Sequence, residues 1–321
     1  MAVIRQYQPK DKTVLKLYQP EDTYLLNGSS PLNGNSKSFD GTNPLYGVNP
    51  ANGAVIYYEL PKNDSGQEVT ITISDSNGKL IRTLSSIKDS TYLRYDGGPP
   101  AETTLDKKEG LNRFVWDLRH GVMPGVNGVY IEGSYRGHKV SPGTYNISLT
   151  SGELSQSNTV TIKKNPNYDI TLDDYQVYDV LMSDMETQFG VMHNMVNQLK
   201  NKYDQIANLS PKVEGNSEIA KQIKSLLTKM KNWDDEMVQR LSKAYDDVEN
   251  FENKFTAEWL FLINQTESDI PVVNQGSMDR YAELSEQWDK LSGRGNQMLS
   301  TDIPDLNKAL WKAGIGAIWQ D

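Results

Sequence analysis

The chain has 321 residues, a formal net charge of −9, a hydrophobic fraction of 37% and no cysteine. That length accommodates two domains, and the acidic balance provides no basic face to release counterions from phosphates, which excludes nucleic acid and anionic membrane surfaces as expected partners. The missing cysteine removes disulfides, thiolate metal sites and a cysteine nucleophile, but it does not fix a compartment.

The first residues, MAVIRQYQPKDKT, contain no apolar run of signal-peptide length, and no segment approaches the roughly 20 apolar residues of a membrane span. A cytosolic protein and a piece of a longer exported one both fit this beginning, with Val3-Ile4 read as strand-like. Thr13 to Tyr18 is a short strand candidate. The tract that follows, Asn27-Gly-Ser-Ser-Pro-Leu-Asn-Gly-Asn-Ser-Lys-Ser, is rich in turn formers and reads as a surface loop or partly disordered segment.

From Tyr46 to Ile162 the punctuation is that of an all-β unit. Gly53 to Leu60 is a strand closed by Pro61, Val69 to Ser74 alternates with period two, Asn77-Gly78 marks a tight hairpin, and Leu80 to Leu84 returns. Further strands are expected at 113–118, 129–131, 144–149 and 158–162. The total, about seven short strands over roughly 115 residues, suits an immunoglobulin- or fibronectin-like β-sandwich.

After Asn165-Pro166 the period changes to about three and a half. Tyr175, Tyr178, Leu181, Met185, Phe189, Met192, Val196, Leu199, Tyr203 and Ile206 form one apolar stripe on a helix of about 36 residues, with Thr171 as N-cap. Ser210-Pro211 ends it. Beyond a short link containing Gly215-Asn216, a second stripe runs through Ile219, Ile223, Leu226, Met230, Trp233, Met237, Leu241, Tyr245 and Val248. Each helix would be about 50 Å long, and the short link predicts an antiparallel helical hairpin. Shorter helices follow around Trp259-Leu260, after a Ser277 cap, and from Asp302-Ile303-Pro304. The expected fold class is α+β with two domains: an N-terminal strand and polar loop over 1–42, a β-sandwich over 43–165 and a helical domain over 166–321.

Chemistry is harder to find. His120, His138 and His193 are scattered, and none has a partner at i+3 or i+4 as a zinc-binding helix presents, so neither a metal nor a cofactor is expected. His193, beside Met192, reads as a surface or boundary residue. Neither a Gly-x-Ser-x-Gly elbow nor a phosphate-cradling loop is present. Asp75-Ser76-Asn77-Gly78 lacks the alternating ligands of a calcium loop and reads as a turn. The pairs Asp173-Asp174, Asp234-Asp235 and Asp246-Asp247 point about 100° apart on their helices and read as solvated faces. Exposed aromatics remain: Tyr130 and Tyr135 in the long loop after the 113–118 strand, close in sequence to Arg119 and His120. These four residues are the expected binding site for a glycan or a peptide, since aromatic loops at the end of a sandwich stack sugars or grip peptides; the competing expectation is that the tyrosines pack back and order the loop.

Four stretches occur in a familiar order: Asn52-Gly-Ala-Val-Ile-Tyr-Tyr-Glu-Leu-Pro61, Ile73-Ser-Asp-Ser-Asn-Gly-Lys-Leu-Ile-Arg-Thr83, Gly110-Leu-Asn-Arg-Phe-Val-Trp-Asp-Leu-Arg119 and Val140-Ser-Pro-Gly-Thr-Tyr145. With Gln19-Pro-Glu-Asp-Thr-Tyr24 and Asp305-Leu-Asn-Lys-Ala-Leu310, they resemble the C-terminal region of bacterial sortilin-like, neuraminidase-repeat β-propeller proteins, often labelled glycosyl hydrolases. Asn165-Pro166-Asn167 and the polar tract at 27–42 depart from that pattern. The resemblance implies an upstream propeller and an exported, periplasmic or cell-surface location, and it carries no catalytic residue over to this sequence. The function expected is a non-catalytic accessory or interaction region with a protein or glycan partner. Alternatives are the C-terminal part of a glycan-active hydrolase, or a structural partner that docks another protein on its helical hairpin.

Overall fold

Alternating burial builds the first part of the chain into two sheets. A computed structural model describes residues 2–7, 14–34, 42–61, 66–213, 216–268, 270–316 and 318; Thr13, residues 35–41 of the polar tract and Gly215 lie outside them. The strands are β1 (Lys16–Leu17), β2 (Thr23–Tyr24), β3 (Ala54–Leu60), β4 (Val69–Asp75), β5 (Leu80–Ser85), β6 (Gly110–Trp116), β7 (Gly143–Ser151) and β8 (Leu154–Lys163). One sheet has the order β1-β3-β6 and the other β2-β8-β7-β4-β5, antiparallel throughout except where β2 runs parallel to β8. β4 and β5 meet across the predicted Asn77-Gly78 turn, where Gly78 takes φ +84° and the Asp75 carboxylate accepts from the N–H groups of Asn77 and Lys79. Residues 129–131, expected as a strand, form none, and Val3-Ile4 lies in a single helical turn, α1 (Ala2–Gln6).

The two sheets share one apolar cluster. Ile56 and Tyr58 of β3 and Trp116 of β6 join Ile71 and Ile73 of β4, Ile147 and Leu149 of β7 and Val160 of β8. Because side chains alternate across a strand, every second residue of β3, β4 and β7 enters this cluster, which is why the period-two signal was readable.

The remainder is helical: α2 (Leu172–Leu209), α3 (Ser217–Met237), α4 (Phe255–Thr266), α5 (Gln275–Gln297) and α6 (Ile303–Lys312). Thr171 caps α2, its hydroxyl accepting from the Asp174 N–H while the Asp174 carboxylate accepts from the Thr171 N–H, so one of the paired aspartates serves a reciprocal cap. α2 has 38 residues, about 57 Å. α3 differs from expectation: it stops at Met237 after 21 residues, about 32 Å, and Leu241, placed on the predicted stripe, is 65% exposed. Spacing alone could not reveal this end, because the apolar period continues past the point where the backbone turns extended at Val238. α2 ends at Leu209 with Ser210 as its C-cap, as the Ser210-Pro211 pair predicts, and a 3-10 turn over Ser210–Val213 follows it; Asn274, not Ser277, caps α5. α2 packs against α3, α4 and α5, and none of the described helices is long and apolar enough to cross a membrane. The chain is thus a mixed α/β structure with two sheets followed by long helices.

A second apolar cluster fills the helical part, and it contains an unexpected contributor. Met123, Val126, Val129, Ile131 and Tyr135, all from the loop between β6 and β7, are buried with Met185, Phe189, Met192, Trp259 and Leu260 of the helices. In the other direction, Ile170 just before α2 and Tyr175 in its first turn enter the sheet cluster. Loop and helix therefore interlock the two cores.

Candidate functional site

β6 ends at Trp116, and the chain is redirected by Leu118, whose φ of +62° puts a non-glycine residue in the left-handed region. That conformation costs about 1–2 kcal/mol for an L-residue and needs surroundings that impose it. They are present: the Val140 N–H donates to Leu118 O at 2.8 Å, Trp116 Nε1–H donates to Arg119 O at 3.0 Å, and the Asp117 carboxylate accepts from the buried Arg82 guanidinium at 2.7 Å. Arg119 and Lys139 then form an isolated antiparallel bridge, and the His120 N–H donates to His138 O at 3.0 Å. The two ends of the long loop are thereby fastened together, and two histidines distant in sequence become neighbours. Their rings stack, with centroids 4.2 Å apart and planes 16° from parallel.

α2 brings carboxylates to the same place. Asp179 and Glu186 lie two turns apart and therefore on one side of the helix. His138 Nε2 sits 3.2 Å from Asp179 Oδ1, and its Nδ1 is 3.0 Å from Glu186 Oε2, a charge contact and not an aligned hydrogen bond. The backbone N–H of His138 donates to Glu186 Oε1 at 2.7 Å. His120 Nε2 is 3.9 Å from Asp179 Oδ1 and buried with no hydrogen-bond partner among the described residues. The side chain of His138 is 0% exposed and that of Glu186 10%. Burial pushes the His138 imidazolium down, but the hydrogen bond to Asp179 and the negative charges of Asp179 and Glu186 win and hold its pKa up at about 9. His120 moves the opposite way, lowered by burial and by the positive charge of His138 stacked on it. Asp179 is lowered as well, the facing histidine outweighing the effect of burial.

The four residues singled out from the sequence have separate roles. Arg119 is used in bracing: Nη1 donates to Gly137 O at 2.9 Å and pairs with Glu267 at 2.5 Å, tying the loop to the end of α4. His120 belongs to the buried cluster. Tyr130 is half-buried, its N–H donating to Ser242 O at 3.1 Å, and its ring lies so close to Gly97 that a Cβ there would come within 2.5 Å of Cδ2. Tyr135 is 2% exposed, its ring 5.8 Å from Phe189 and 6.1 Å from His193, and it offers no face to a ligand. It packs back and orders the loop. His193, read as a surface or boundary residue, is fully buried: the Pro124 carbonyl lies 2.8 Å from Nδ1, and burial lowers its pKa to about 4.

The meeting of His138 with Asp179 and Glu186 escaped the sequence reading. No local motif links them, since their meeting depends on the bridge at Arg119 and Lys139. The one available signal was two acids, Asp179 and Glu186, flanking the apolar stripe of α2 on its buried edge.

A roomy cleft lies elsewhere, on the sheet side. It has a volume of about 720 Å³ and is bordered by Ile4 of α1, by Gln19, Asp22, Tyr24 and Asn27, by Asn52 just before β3 and by Tyr57 within it. Tyr24 is 44% exposed, with Lys163 Nζ 5.6 Å from its ring centroid and paired to Asp22 at 2.9 Å. No protein-family model, curated protein or solved structure matches this chain.

Proposed function

We propose that this chain is a non-catalytic interaction region of an exported bacterial protein and that it binds glycan in the cleft containing Tyr24 and Tyr57. In this reading the two sheets with their common core are an immunoglobulin-like sandwich, α2 and α3 form the arms of an antiparallel hairpin in a separate helical domain, and a propeller precedes them, as the resemblance implies. The observation that carries the reading is the composition of the cleft. An exposed aromatic ring supplies a flat apolar surface for the C–H face of a sugar, while side-chain amides and carboxylates supply directed bonds to hydroxyls. The hydrolase alternative is weaker, because the histidine and carboxylates that converge do so around a side chain with no solvent exposure, too enclosed to admit a sugar. Screening a glycan array and then titrating the best ligand against the wild type and Tyr24→Ala tests this. At least about tenfold weaker binding by the variant is expected; no ligand on the array, or one bound equally by both proteins, rejects the cleft.

A second reading, a helical body that docks another protein, draws support from Val177, Val180 and Val191, exposed apolar residues along α2. Charged substitutions there that leave partner capture unchanged would reject it.

A further inference from the structure

We propose that His120, His138 and Asp179 form a binding site for a divalent transition-metal ion of the zinc type, with Glu186 as the carboxylate that orients His138. A tetrahedral ion with bonds of about 2.0–2.1 Å sets its donors roughly 3.3 Å apart. Asp179 Oδ1 lies 3.2 Å from His138 Nε2 and 3.9 Å from His120 Nε2. All three donor atoms fall within 4.8 Å of one another. The stacked rings hold both Nε2 atoms near the same carboxylate oxygen, and coordination requires the His120 ring to turn out of the stack so that its lone pair converges on the ion.

The site also accounts for an atom that a salt-bridge clamp leaves stranded. Asp179 and Glu186 around a charged His138 would be a complete ion-pair cluster by themselves, yet His120 gains nothing from it. Its ring is stacked on a cation and its Nε2 is buried with no hydrogen-bond partner among the described residues. Leaving such a group unsatisfied costs about 1–3 kcal/mol, whereas a metal uses both Nε2 lone pairs. Glu186 fits the same scheme. A carboxylate beside the non-ligating nitrogen, here Oε2 at 3.0 Å from Nδ1, favours by its charge a proton on Nδ1 and leaves Nε2 to coordinate. On binding, the proton on His138 Nε2 leaves for solvent and the nitrogen lone pair takes its place on the ion.

Donor chemistry selects the metal. Two imidazoles and one carboxylate suit Zn²⁺ and its neighbours, while Ca²⁺ and Mg²⁺ want oxygen ligands. Three protein ligands leave a fourth position for water on the side where His120, 13% exposed, and Asp179 approach the surface. Lys79, bonded to Ser183 on α2, bears electrostatically on both His120 and Asp179 and tempers the affinity.

The test uses the full chain stripped with a chelator. Zn²⁺ is titrated in competition with a chromophoric chelator, and Co²⁺ is added separately to look for the intense visible bands of a tetrahedral site. One ion per chain is expected. His120→Asn and Asp179→Asn should lower affinity at least tenfold, roughly the lower bound for Glu186→Gln as well, and Lys79→Gln should raise it. His120 is the least buried of the two histidine ligands, so its variant guards against a result caused by unfolding, with circular dichroism as the check. Failure of the folded wild type to take up a stoichiometric ion, or uptake at wild-type affinity by both the His120 and Asp179 variants, overturns the site.

Discussion

Replacing Glu186 by glutamine keeps the shape at the centre of the buried cluster and removes one of the two charges around His138. In the metal-free protein, moving the imidazolium from its ordinary 6.5 to about 9 represents on the order of 3 kcal/mol of preference for the charged ring. Asp179 at 3.2 Å and Glu186 at 3.0 Å share that preference, so the substitution should cost about 2 kcal/mol at about pH 6, less than the roughly 3–5 kcal/mol for breaking a buried pair outright because Asp179 still faces the ring. The sign with pH follows from the raised value. A group whose pKa is higher folded than unfolded contributes fully below its unfolded value, and that contribution is lost as pH rises through the folded one. His138 therefore stabilises below about pH 6.5 and ceases to do so above about pH 9. At about pH 10 the ring is neutral, and Glu186→Gln should cost under about 1 kcal/mol, because the glutamine oxygen still accepts the His138 backbone N–H. Urea unfolding of both proteins at the two pH values, with chelator present, measures the difference. An equal loss at both pH values would refute a charged His138 as the centre of the cluster.

Three further outcomes are expected. Tyr135→Ala should lower stability by about 3–5 kcal/mol in chemical denaturation, since the ring is a fully packed part of the helical cluster; binding loss without destabilisation would instead restore the tyrosine as a contact residue. Gly53→Ala should be strongly destabilising, because Gly53 has φ +141° and a Cβ would stand 2.2 Å from Trp116 O, a backbone atom of β6 that cannot move without opening the β3–β6 ladder; a thermal midpoint equal to wild type would contradict this backbone geometry. Leu118→Gly relieves the left-handed strain, about 1–2 kcal/mol, but loses a fully buried side chain, so a net loss of roughly 1–3 kcal/mol is expected from calorimetry. A net gain would mean that strain outweighs packing there.

The elements of this fold were largely legible because each is written in a local period. Alternation at 69–73 and the Asn77-Gly78 pair determined β4, β5 and their turn, and the apolar stripe from Tyr175 to Ile206 with Thr171 before it determined α2 and its cap. The end of α3 was not legible, since the apolar spacing through Leu241 and Tyr245 persists where the helix has already stopped and both side chains face solvent.

The site was legible only in fragments. Residue types and spacing identified the segment from Arg119 to Tyr135 as unusual, but they could not say which of its side chains turn inward. That depends on long-range contacts: the Arg119–Lys139 bridge that stacks His120 on His138, and the packing of the loop on α2 that sets Asp179 and Glu186 beside them. Periodicity reports the face a residue presents within its own element. The company it keeps across the fold, and with it the charge of His138 and the donor set around Asp179, is decided by tertiary structure alone.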